Sequence, residues 1–122
     1  MYSPRGLQLF VSAIGPARTA ELFLTGEPVS AQRALAVGLV NALHPPDALL
    51  GAAHAAAGRV AEMAPIAVQG TVAVIRALAA GPLSEDGREM AQDWRERAYA
   101  SEDMAEGLAA FRERRAGRFS GR

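Results

Sequence analysis

Apolar residues along this chain recur at helical spacing almost from end to end. Residues 6–14 read as a short amphipathic helix stopped at Gly15. Pro16 suits a first helical position, where its missing N–H costs nothing, and a second run over 17–24 continues until Gly26 ends it. Ser30 is a good N-cap for a short helix over 31–37, with Gly38 as the residue just past its end. Residues 39–43 form the only plausible strand, bounded by Gly38 and the Pro45-Pro46 pair.

Three longer helices and a final one follow. The first, over 47–63, places Leu50, Ala53, Ala57, Val60 and Ala61 on one stripe, and its Ala-rich middle favours helix over disorder. Pro65 opens the next, to about residue 80, with Val68, Val72, Ile75 and Ala79 on its stripe and Gly81-Pro82 closing it. Ser84 caps a third whose stripe is Gly87, Met90, Ala91, Trp94 and Ala98. Ser101 caps the last, with Met104, Leu108 and Phe111 on the apolar side. Glu102 and Asp103 stand in its first turn and Arg112, Arg114 and Arg115 in its last, an order that complements the helix dipole. The expected fold is mainly α with at most one short strand. Such stripes find cover only against each other or against a partner, and the small face Ala53-Ala57-Ala61 favours close helix contact.

Composition narrows the picture. Half the residues are hydrophobic and the formal net charge is zero, which excludes the low-hydrophobicity, high-charge signature of disorder. Every basic residue is Arg, but 13 of them balance 13 acids, so no net positive field draws nucleic acid. With no Cys there is neither a disulfide framework nor a thiolate zinc site. Neither a signal-peptide core at the amino terminus nor a run of about 18 apolar residues is present, so the expectation is a cytoplasmic chain with no membrane partner.

The stretch Ser101-Glu102-Asp103-Met104-Ala105-Glu106-Gly107, followed by Ala110-Phe111-Arg112-Glu113-Arg114-Arg115, resembles the carboxy-terminal signature S-E-D-x-x-E-G-x-x-A-F-x-E-[KR]-R of the crotonase superfamily, the enoyl-CoA hydratases and isomerases. Leu24-Thr25-Gly26-Glu27-Pro28-Val29-Ser30-Ala31 and Ala34-Leu35-Ala36-Val37-Gly38-Leu39-Val40-Asn41 resemble two further blocks of that family, in family order. The resemblance implies a two-part chain. Residues 1–45 would be the end of a crotonase-like spiral core, and residues 46–122 a carboxy-terminal helical oligomerisation region.

It also implies an acyl-CoA thioester as substrate, with coenzyme A entering only as part of it and no separate cofactor. In the family, two peptide N–H groups hold the thioester oxygen and one or two acids move protons at the acyl carbons. Those donors and acids lie upstream of the turn that Gly6 matches, so no catalytic residue is expected here. The expectation is a chain inactive by itself, needing either a homo-oligomer or a partner chain that supplies the catalytic half. The alternative is a non-catalytic oligomerisation or interaction module derived from the family. Arg114 matches a basic position that in the family can reach the phosphates of coenzyme A, and an Arg fork suits that anion.

No other residue competes. Glu21, Glu27, Glu62, Glu85, Glu89, Glu96, Glu102, Glu106 and Glu113 each fall on a polar face, at a helix start or in a turn. None is enclosed by apolar residues that would tune its pKa. His44, in a Pro-flanked loop, and His54, in an Ala-rich helix, have no partner at ligand spacing, and no metal site is expected.

Overall fold

Ser3, extended and just ahead of Pro4, opens the first helix: its Oγ accepts the Gly6 N–H at 3.1 Å as a side-chain cap. The computed structural model describes residues 2–122. Helix α1 (Pro4–Thr25) is broken at Gly15, whose φ 79° and ψ 163° lie in a region closed to other residues. The sequence expectation of two runs either side of Gly15 is therefore met. At the break the Thr19 hydroxyl, itself buried, donates to the Gly15 carbonyl at 2.8 Å. Tyr2, Phe10 and Phe23 cluster beside it, with ring centroids 5.0–6.3 Å apart.

Helix α2 (Ala31–Ala36) starts where Ser30 accepts the Arg33 N–H at 3.1 Å. It ends in a Schellman motif. Gly38, at φ 81°, donates to the Leu35 carbonyl at 3.1 Å, and the Leu39 N–H reaches back to Ala34 at 2.8 Å. That closure disposes of the strand expected over 39–43. The Leu39 and Val40 N–H groups both point to the Ala34 carbonyl, and residues 39–41 turn instead of extending. No strand occurs among the described residues.

Four helices follow: α3 (Pro46–Ala61), α4 (Pro65–Ala80), α5 (Glu85–Ala100) and α6 (Glu102–Glu113). The chain divides into two units, Met1–Ala52 and Ala53–Arg122, so that the division falls inside α3. In the second unit α5 packs against both α4 and α6. The face of α5 turned inward is the expected one: Gly87, Met90, Ala91, Trp94 and Ala98 are all half-buried.

The faces of α4 and α6 differ in part from expectation. On α4 the covered residues include Ile66, Val68, Gly70, Ala73, Val74, Ala77 and Ala79, so Val68 and Ala79 of the expected stripe are half-buried while Val72 and Ile75 stay exposed. Gly70 lies under Trp94, where a Cβ would come within 2.9 Å of the Trp94 Cβ. The large indole needs a gap on its neighbour, so the small-residue face of α4 wins the contact over the bulkier stripe. On α6 the covered residues are Asp103, Met104, Glu106, Gly107, Ala109 and Ala110, so Met104 of the expected stripe is half-buried while Leu108 and Phe111 are exposed, Phe111 to 84%. Leu50 and Val60 on α3 are likewise exposed. Only Ile14, Ala34 and Ala110 are buried apolar side chains among the described residues, and each keeps a few per cent of its surface exposed.

Candidate functional site

The three sequence blocks that carried the family resemblance resolve into helix ends. In the first, Thr25 donates its hydroxyl to the Glu21 carbonyl at 2.8 Å and accepts the Glu27 N–H at 3.3 Å, Gly26 ends α1, and Ser30 caps α2. The second is the Schellman end of α2. The third governs the start of α6, its end and the tail beyond it.

Ser101 caps α6 through an Oγ that accepts the Met104 N–H at 3.2 Å while donating to the Ala98 carbonyl at 2.7 Å, which ties α6 to the end of α5. Asp103 then turns inward and is only 3% exposed. Its two carboxylate oxygens accept the N–H groups of Ser120 at 2.7 Å and Gly121 at 2.8 Å. The Arg122 carbonyl in turn accepts the Glu102 and Asp103 N–H groups at 2.6 and 3.4 Å, meeting the otherwise unpaired donors of the helix start. One turn on, Glu106 takes the Arg115 guanidinium (2.9 Å from Nη2) and the Arg118 N–H (2.8 Å). The Arg115 guanidinium and the Arg118 N–H hold its carboxyl down at about 2, well below its usual 4.5, and Arg115 is pushed up by Glu106 and Glu113 in return. The Phe119 ring lies beside Gly107, 3.7 Å from where a Cβ would stand, an ordinary contact distance. Asp103, Glu106 and Arg115 of the signature thus fasten residues 114–122 back along α6.

Arg114 sits at the turn itself. It is the only non-glycine described residue with positive φ, at φ 53° and ψ 41°, in the position past a helix end where glycine is usual. Its N–H donates to the Phe111 carbonyl at 3.3 Å and that of Arg115 to Ala110 at 3.0 Å. The left-handed conformation costs a non-glycine residue about 1–2 kcal/mol. The Arg114 side chain is exposed, and its guanidinium has no partner among the described residues. Arg112 remains in the last turn, whereas Arg115 is drawn off the dipole onto Glu106.

Asp103 and Glu106 are the residues that sequence reasoning missed as a pair. Both read as dipole partners or surface acids, and the signal that finds them is the spacing Asp103–Glu106–Gly107, one helical face aimed at whatever follows the helix. A polar hollow of about 420 Å3 lies between Glu102, Asp103, Glu106, Arg115, Arg118 and Ser120. In the first unit, a hollow of about 300 Å3 is rimmed by Arg18, Glu21, Glu27, Ser30 and Arg33, with Arg33 3.4 Å from Glu21. The other acids are exposed: Glu96 accepts from Gln92 at 2.8 Å, and Glu113 from Arg115 at 2.6 Å. His44 and His54 are exposed and far from any ligand set, and no cluster of metal-binding side chains occurs among the described residues. Among the described residues no single helix is long and apolar enough to cross a membrane.

Comparison with known proteins joins this geometry to a family. The chain is 32% identical over 122 residues to the 2,3-dehydroadipyl-CoA hydratase of Escherichia coli, covering 96% of this chain and 46% of that protein. It is 37% identical over 102 residues to the methylmalonyl-CoA decarboxylase of the same organism, covering 83% and 39%. The crystal structure of an enoyl-CoA hydratase from Bacillus anthracis superposes with a TM-score of 0.84 at 33% identity, covering 96% of this chain and 45% of that one. The chain spans less than half the length of the relatives it matches. A helical segment that reproduces their carboxy-terminal part, and a match to the enoyl-CoA hydratase/isomerase family model over residues 2–122, lead to one conclusion: the chain belongs to that family, within the crotonase superfamily.

Proposed function

We propose that this chain supplies the helical carboxy-terminal part of an enzyme acting on acyl-CoA thioesters, in the manner of an enoyl-CoA hydratase or isomerase. The oxyanion donors and proton-moving acids then come from outside residues 2–122. One observation carries this reading: the two sheltered carboxylates, Asp103 and Glu106, already accept five N–H bonds between them and have no proton-transfer role left. A catalytic acid needs a pKa near the working pH, and Glu106 is driven the other way. The relatives add support. A hydratase and a decarboxylase, different reactions by name, both align with this segment, as expected of a scaffold that does not itself choose the chemistry.

Within that assembly Arg114 is the residue proposed to meet the phosphates of coenzyme A. Its guanidinium is exposed and unpaired, its backbone is fixed by the helix end, and the planar fork matches a phosphate in bidentate fashion. Coenzyme A would enter as part of the substrate. A second reading, an interaction module without catalysis, is favoured by the bulky stripes left uncovered on α3, α4 and α6.

The test is a hydration assay with crotonyl-CoA. The chain alone is expected to show no turnover, against roughly 1–1000 per second for an ordinary enzyme. When supplied with the amino-terminal half of a family member, activity is expected, with Arg114→Ala raising KM and leaving kcat unchanged. Turnover by the isolated chain, abolished by replacing one of its own carboxylates, would sink the proposal. Assembly without any activity would instead favour the interaction module.

A further inference from the structure

The tail beyond α6 behaves as a ligand on a built site. Five polar contacts join α6 to residues 118–122, and each uses the tail's main chain: the N–H groups of Arg118, Ser120 and Gly121, and the Arg122 carbonyl taken twice. The acceptor at the centre, Asp103, is almost completely buried and turns both oxygens to the tail. One side chain adds specificity. The Phe119 ring closes one wall of an apolar groove of about 320 Å3 whose other walls include Ala67, Tyr99, Met104 and Leu108. Gly117 is required for the ring to fold back, since a Cβ there would fall within 2.4 Å of it. Gly121 lies against Pro65 at the start of α4, 3.4 Å from where its Cβ would stand. The tail is therefore held by a carboxylate pair on its main chain and by a groove for Phe119, neither of which depends on the peptide bond that joins the tail to α6.

We propose that α6 carries a peptide-binding site, filled here by the chain's own residues 117–122, which accepts the same segment from a second copy in trans. The recognition resembles the addition of an extended peptide to an exposed edge, with main-chain bonds for affinity and one pocket for specificity. The inference concerns the second unit alone and stands apart from the acyl-CoA reading. The short tether holds the tail at an effective concentration of about 1 mM or more, so the chain's own tail competes strongly. Exchange shows itself once the resident tail is weakened.

The experiment uses a fluorescent peptide of residues 114–122 and the full chain bearing Phe119→Ala. Saturable binding in the range of about 10 μM to 1 mM is expected, displaced by unlabelled peptide. The unaltered full chain should bind the peptide at least about tenfold more weakly, because its own tail occupies the site. A peptide with Phe119→Ala, and a receptor with Asp103→Asn added, should each lose at least about tenfold. Circular dichroism checks that the receptor keeps its helices; if Asp103→Asn does not, Glu106→Gln takes its place. Binding that is absent up to several millimolar overturns the proposal. So does equal binding of the Phe119→Ala peptide, or equal binding by the unaltered chain.

Discussion

At the scale of single residues, charge in this chain serves architecture. Glu106 shows how. Its carboxyl, a quarter exposed, is held at about 2 by Arg115 and the Arg118 N–H. A depressed folded-state pKa contributes stability that is whole above the unfolded value near 4.5 and is lost as pH falls through about 2. The Arg118 amide proton shift should therefore follow a titration with its midpoint near 2, and Glu106→Gln should flatten that profile while loosening the tail at neutral pH. A midpoint at 4.5 in the unaltered chain would mean that the clamp is not formed in solution. Asp103 completes the pair from a buried position, where an acid without donors would be costly; the tail supplies them.

At the scale of elements, the chain is written in helix ends, and that part was legible. Ser30, Ser84 and Ser101 each accept an N–H three residues on, as their positions before apolar runs imply. Pro65 to Ala80 forms the helix its sequence indicates. On α5 spacing also gave the inward face; what it could not reveal was the full inward face of α4. Periodicity finds a bulky stripe, but packing against Trp94 demanded the small face through Gly70, a choice made by the neighbour and not by the helix. The tail clamp was hidden for a similar reason: Asp103 is a plain first-turn acid until residues 120 and 121 arrive, 17 and 18 positions later. Gly15 offers the direct check on this scale. A Cβ there meets nothing within 4 Å, so the cost of Gly15→Ala is backbone strain alone, about 1–3 kcal/mol. Thermal unfolding followed by circular dichroism should fall by several degrees, roughly. An unchanged melting temperature would show that the break in α1 is not kept in solution.

At the scale of the whole molecule, the apolar residues outnumber the places to put them. Leu24 and Phe111 are each 84% exposed, and Leu9, Leu50 and Ile75 remain more than half exposed. Burying one such side chain is worth roughly 1.5–3 kcal/mol, so several together rival the stability of a small domain. Association at micromolar concentration is expected in sedimentation, with hydrophobic dye bound by whatever remains monomeric. A strictly monomeric chain that ignores the dye would show that these side chains have found cover within one copy. Trp94 makes such rearrangements visible. It is the chain's single tryptophan, seated over Gly70 with the Arg97 guanidinium 4.3 Å from its ring centroid. Its groove, between α4 and α5, is lined by no tail residue. Excited selectively over the two tyrosines, the tryptophan emission of this protein is thus a one-address optical signal: it reddens when those two helices part, and a tail that comes and goes leaves its colour alone.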